Sequence, residues 1–131
     1  VIDSLDPNIL DWQQSLHLAA NKEDLAADLL KMLVDSFQQE LHEIEQLIEL
    51  EDYPQLEHVL HRLYGATRYV GTPALQDVAG GFEQFVSTLR KERRKADDAF
   101  VQETLNRADE LKTVMDQVQQ VAQSILSKYE Q

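Results

Sequence analysis

The chain contains no cysteine, only four glycines and three prolines, and no apolar run longer than three residues. Without cysteine there is no disulfide framework, thiolate nucleophile or thiolate metal site. The short apolar runs leave neither a transmembrane helix nor a signal-peptide core. Cations are scarce: 12 Lys and Arg face 24 Asp and Glu, a net charge of −12 in 131 residues. That balance makes nucleic acid and anionic membrane poor partners. Hydrophobic residues still make up 43% of the chain, which argues against disorder. One domain's worth of sequence, 1–131, is expected to bury a single core. The first residue is Val1, which suggests a piece of a longer protein, acidic and cytoplasmic.

What is present is helical periodicity. Nothing alternates with period two, while a 3.6-residue rhythm runs almost throughout. A short first helix is expected over about 9–20, carrying Trp12 and Leu16. Asn21 can cap a second over about 22–50, with Leu25, Leu29, Met32, Leu33, Phe37, Leu41, Ile44 and Ile48 on its stripe. Asp52 and Pro54 open a third over about 53–70. Gly71-Thr72-Pro73 breaks the chain with a helix-ending glycine, a capping Thr and a first-turn proline. A fourth helix follows over about 73–95, on Leu75, Val78, Phe82, Phe85, Val86 and Leu89. Asp97 opens a fifth over about 97–128 through Leu105, Leu111, Val114, Val118, Val121 and Ile125. Four long amphipathic helices joined by short turns make an all-α, antiparallel four-helix bundle, with the first helix packed on one end or side. The Glu-rich stretch Glu40–Asp52 is expected to be a solvated face.

The third helix carries the chemistry. Its seam is Leu56, Leu60, Leu63, Thr67 and Val70, which cluster within about 40° of one direction. His61 lies about 140° from that seam, Gly65 about 180° and Arg68 about 120°, so all three face water. A glycine inside a helix costs roughly 1 kcal/mol relative to Ala, and an exposed position gives it no packing reason. A small residue at i+4 does uncover the imidazole edge for another protein. An exposed His offers a nitrogen lone pair at neutral pH, as a nucleophile entering another protein's active site must. The plainer alternative is a surface histidine beside a neutral glycine.

His61-Arg62-Leu63-Tyr64-Gly65-Ala66-Thr67, followed by Val70-Gly71, resembles the signature of the histidine phosphotransfer (HPt) family: His-x-Leu-x-Gly, a small residue, and a second Gly ten positions after the His. Lys22-Glu23-Asp24-Leu25-Ala26 through Met32-Leu33, and Gly71-Thr72-Pro73-Ala74-Leu75, are similar to the C-terminal HPt domain of BarA/GacS-type hybrid sensor kinases. The likeness covers about residues 9–126. It implies that His61 is phosphorylated in a multistep two-component phosphorelay and that Gly65 clears space beside it. The implied partners are the receiver domain of a parent hybrid kinase, anchored in the inner membrane, and a downstream response regulator. No bound cofactor is expected on the domain itself, which would be a monomer, and Mg²⁺ is expected on the receiver. One position departs: most HPt domains carry Lys three residues after the His, and here it is Tyr64. Arg62 and Arg68 are the candidate replacement cations, and Tyr64 offers a hydroxyl.

If helices three and four are antiparallel about Gly71-Thr72, Gly80-Gly81 and Glu83-Gln84 lie level with His61. The glycines would let the helices approach or a partner dock, and Glu83 or Gln84 could bond the imidazole and set its tautomer. Other constellations are weaker. His42-Glu43 opens like a kinase dimerisation box, but Glu45-Gln46-Leu47 departs from it and this chain holds no ATP-binding domain. His61 is followed by Arg62 rather than an acid, which disfavours autophosphorylation. His58-x-x-His61 shares a helix face yet lacks a third metal ligand, and His17 has no partner in sequence. Arg90, Lys91, Arg93, Arg94 and Lys95 hold five of the twelve cations and suit a solvated helix C-terminus. The competing function class is a scaffolding bundle with no phosphotransfer.

Overall fold

The computed structural model describes residues 6–129. Five α-helices follow one another: α1 (Trp12–Leu18), α2 (Glu23–Glu49), α3 (Tyr53–Ala66), α4 (Pro73–Lys91) and α5 (Asp98–Leu126), with a 3₁₀ turn at Thr67–Tyr69. No strand occurs among the described residues. The helix α3 packs between α2 and α4, and α5 closes the ring against both. The four long helices thus form the expected antiparallel bundle. None of them is long and apolar enough to cross a membrane.

Starts follow local chemistry. Asp52 and Asp97 accept from the backbone N–H of Gln55 and Phe100, at 3.2 and 2.8 Å, and so satisfy amides that a helix start leaves unpaired. Asn21 does not cap α2 as expected. It stands at φ 63°, closing α1 by donating its N–H to the Leu16 carbonyl at 2.7 Å, while Lys22 takes the cap position without a side-chain bond. Asn tolerates the left-handed region that this tight α1–α2 link demands. Thr72 occupies the cap position of α4, but its hydroxyl makes no capping bond and is buried without a partner among the described residues.

The third helix ends at Ala66 rather than Val70. The Thr67 hydroxyl donates to the Tyr64 carbonyl at 2.6 Å, a local bond that competes with the helical ladder, and the chain tightens into the 3₁₀ turn. Gly71 does not end the helix through a positive φ, since no glycine has one. Its role is close approach: a Cβ there would collide with the Asp11 carbonyl oxygen. Asp11 donates its N–H to the Gly71 carbonyl at 2.7 Å, and Gly71 returns one to the Ser15 hydroxyl at 2.9 Å. Those bonds pin α1 onto the α3–α4 turn.

The core is filled by Leu30, Ile44, Leu56, Leu60, Leu75, Phe82, Phe100 and Leu111, all nearly or fully buried. Phe100 stacks on Phe85 at 4.6 Å and meets the edge of Tyr53 at 5.2 Å. Leu25, Met32 and Leu105, expected on the buried stripes, are exposed instead, and Ala26, Ala27 and Leu30 take the inner face of α2. Helix α4 stops at Lys91, so Arg93, Arg94 and Lys95 form the connection to α5 rather than a last helical turn.

Candidate functional site

The seam Leu56, Leu60, Leu63, Thr67 and Val70 is buried throughout, which fixes the opposite face of α3 toward water. On that face the His61 side chain is 70% exposed. A Cβ added at Gly65 would meet nothing within 4 Å, so the space one turn above the imidazole is open. His58, one turn below, is exposed as well.

From α4, Glu83 reaches across the α3–α4 junction, and its Oε2 lies 2.8 Å from His61 Nδ1. A carboxylate only accepts, so Nδ1–H is the donor and the lone pair resides on Nε2. Among the described residues Nε2 has no hydrogen-bond partner. Glu83 is the more enclosed of the two, its side chain 20% exposed, and so serves as the fixed post. Gln84 is exposed and makes no bond to His61; one residue along α4 turns the side chain about 100° away from α3.

The candidate cations part ways. Arg62 reaches back to α2, its Nη2 3.0 Å from Glu40 Oε1 and 3.2 Å from Glu43 Oε2. Partial burial opposes its charge, but the two carboxylates outweigh that and hold its pKa above the ordinary arginine value. Its charge is spent within the bundle, which the wheel of a single helix could not reveal. Among the described residues Arg68 makes no ion pair; its guanidinium lies over the Tyr64 ring, 5.1 Å from the centroid. The Tyr64 ring is half-buried against α4, where a Cβ at Gly80 would come within 2.8 Å of its Cε1. Gly80 therefore makes room for Tyr64, while Gly81 has the Arg107 guanidinium 3.4 Å from its would-be Cβ. The Tyr64 hydroxyl makes no hydrogen bond among the described residues.

Below His61 a groove of about 800 Å³ runs between α3 and α4, lined by His61 and Glu83, by Tyr53 and Leu89, and by Arg90 and Arg94. Arg90 bridges it, donating to both oxygens of Glu57 at 3.2 and 2.7 Å. Those bonds and the carboxylate's charge hold the Arg90 pKa above its ordinary value. No single-helix periodicity reveals this groove, because its walls belong to two helices and to the connection that follows α4. Among the described residues no group of three or more His, Asp and Glu is placed to hold a metal ion, which leaves His58 and His61 without a third ligand. His17 and His42 are exposed, apart from this site.

Comparison with known proteins adds the decisive observation: the family model of the Hpt domain matches residues 28–121, the bulk of the bundle including His61 and Glu83. The chain belongs to the HPt domain family. Its sequence is 41% identical over 86 residues to the sensor protein GacS of Pseudomonas syringae pv. syringae, covering 66% of this chain and 9% of that protein. To the histidine-protein kinase BarA of Escherichia coli K12 it is 35% identical over 89 residues, covering 67% of this chain and 10% of the relative. The chain thus matches only about a tenth of these large kinases. A crystal structure of the HPT domain from a Shewanella sensor hybrid histidine kinase superposes with a TM-score of 0.77 at 26% identity, covering 94% of this chain and 97% of that one. The five-helix arrangement is therefore that of an HPt domain.

Proposed function

We propose that this HPt domain is a phosphoryl carrier in a multistep phosphorelay and that His61 is the residue that carries the group. The observation that supports this most is the His61–Glu83 contact at 2.8 Å beside the open space at Gly65. It leaves Nε2 lone-paired, oriented and approachable. In the forward step the Nε2 lone pair attacks the phosphorus of a receiver's aspartyl phosphate in line. The P–N bond forms as the P–O bond breaks, and the aspartate carboxylate departs. The Nδ1 proton stays on the imidazole, where Glu83 offsets the positive charge that builds on the ring. Transfer to a second receiver is the same step reversed.

The chain carries little machinery beyond a positioned nucleophile, and no autokinase or ATP-binding role is assigned to it. Mg²⁺ held by the receiver would neutralise charge on the transferring group. The partners, by analogy with the hybrid kinases it resembles, are a kinase receiver domain and a response regulator, met in the cytoplasm. Arg68 is the favoured cation for the phosphoryl group, since Arg62 is already held by two glutamates and Tyr64 is packed on Gly80. The scaffolding alternative leaves the open space at Gly65 and the His61–Glu83 pair without a purpose. The test is incubation with a receiver phosphorylated on its aspartate. Acid-labile, base-stable label on this chain, absent in His61→Gln, is expected; label that persists in His61→Gln overturns the assignment.

A further inference from the structure

Two negatively charged reacting surfaces have to meet for such a transfer. The chain has a net charge of −12, and the phosphoaspartate that a receiver brings to it is itself anionic. Uniform charge would therefore slow their encounter. Beyond Arg62 and Arg68, the negative charge is interrupted most densely at the end of α4. Residues 90–95 hold five cations against the single acid Glu92, in a chain with twelve cations overall. Lys91, Arg93 and Lys95 are exposed and make no ion pair among the described residues. Arg90 is tied to Glu57, and Arg94 lies 3.5 Å from Glu92.

This basic turn is connected to the histidine. Arg90 and Arg94 line the same groove of about 800 Å³ as His61 and Glu83. Seven residues along α4 separate Glu83 from Arg90, about 10 Å of helix axis, well within the footprint of one docked domain. The groove's walls combine the apolar Tyr53, Val86, Leu89 and Ala96 with the polar Glu57 and His58, and the unpaired cations of the basic turn follow directly beyond Arg90. A flat solvated turn would need neither the apolar walls nor the continuity with His61.

We propose that the α3–α4 groove and the basic turn at 90–95 are a second docking contact for the receiver: an apolar side chain beside its phosphoaspartate seats in the groove, and an acidic edge of the same domain faces Lys91, Arg94 and their neighbours. The inference rests on the carrier reading for its partner, but not for its charge argument. The contact steers encounter and sets register; it takes no part in the chemical step.

The experiment uses the chain with Lys91→Glu and Arg94→Glu together, and a second version with both changed to Gln. The probe is a receiver domain phosphorylated with acetyl phosphate, with the unphosphorylated receiver titrated in parallel. Expected is a loss of about tenfold or more in the second-order transfer rate at low salt for the Glu version. The Gln version should fall between it and wild type. Both losses should shrink at high salt, and the rate at saturating receiver should be unchanged. Equal rates for all three proteins at low salt overturn the proposal, as does a loss that ignores salt and receiver concentration. Unaltered receiver binding, alongside affinity for anionic vesicles or DNA that the variants lose, assigns the turn to another partner and also overturns it. If wild type takes no label yet binds receiver in a salt-sensitive way that the variants lose, the docking contact stands and the carrier reading falls.

Discussion

His61 and Glu83 are 22 positions apart in sequence and 2.8 Å apart in space. A hydrogen bond to a charged group contributes about 1.5–3 kcal/mol, and exposure puts this pair at the low end. Removing the acceptor in Glu83→Leu should therefore slow transfer roughly tenfold. Glu83→Gln still accepts through its amide oxygen but lacks the charge, so its rate should lie between. Single-turnover transfer from a phosphorylated receiver checks the order; identical rates in all three would remove Glu83 from the site. Gly65→Ala, with open space at its Cβ, should stabilise the helix by up to roughly 1 kcal/mol. Gly65→Gln should leave the helical circular dichroism intact yet slow transfer strongly, because it fills the approach to Nε2. Arg68→Ala should weaken transfer more at low salt than at high, whereas Arg62→Ala should show less of that salt dependence, its charge being already countered by Glu40 and Glu43. From the sequence, His61 and Gly65 stood out by their angle on one helix, and Glu83 was one of two candidates. The fates of Arg62 and Tyr64 were not legible there, because each is settled by a residue of a different helix.

At the scale of the element, periodicity located all five helices, and Asp52 and Asp97 marked two starts by their capping bonds. Ends were less legible. The 3₁₀ turn at Thr67–Tyr69 depends on a hydroxyl choosing the Tyr64 carbonyl, and the left-handed Asn21 on how tightly α1 must turn into α2. Leu25 and Met32 looked like seam residues because α2 has apolar side chains on more than one face. The Gly71 site ties an element to its neighbour: α1 lies so close that a Cβ would strike the Asp11 carbonyl, a backbone atom with little room to yield. Gly71→Ala should destabilise the fold by about 1–3 kcal/mol. Thermal unfolding should register this as a drop of several degrees in Tm, about 2–4 °C per kcal/mol for a chain near this size. An unchanged Tm would mean that α1 is not held at this turn.

For the whole molecule, the antiparallel bundle serves to hold α3 and α4 in register, so that a histidine on one and a glutamate on the other meet at the surface. The buried faces are built from Leu60, Leu75, Phe82 and Leu111, and the His61–Glu83 pair sits outside them at the surface. The bundle and its charge asymmetry follow from composition and periodicity; the groove between α3 and α4 does not, since it exists only once two helices are placed side by side. The central claim is that His61 Nε2 carries a phosphoryl group between receivers. It is tested most directly by adding a phosphorylated receiver to the wild-type chain and locating the label by mass spectrometry under conditions that preserve phosphohistidine. One phosphoryl group on His61, returned to a second receiver on its addition, is the expected result. An unlabelled chain, or label on His58 or His42 instead, would contradict it.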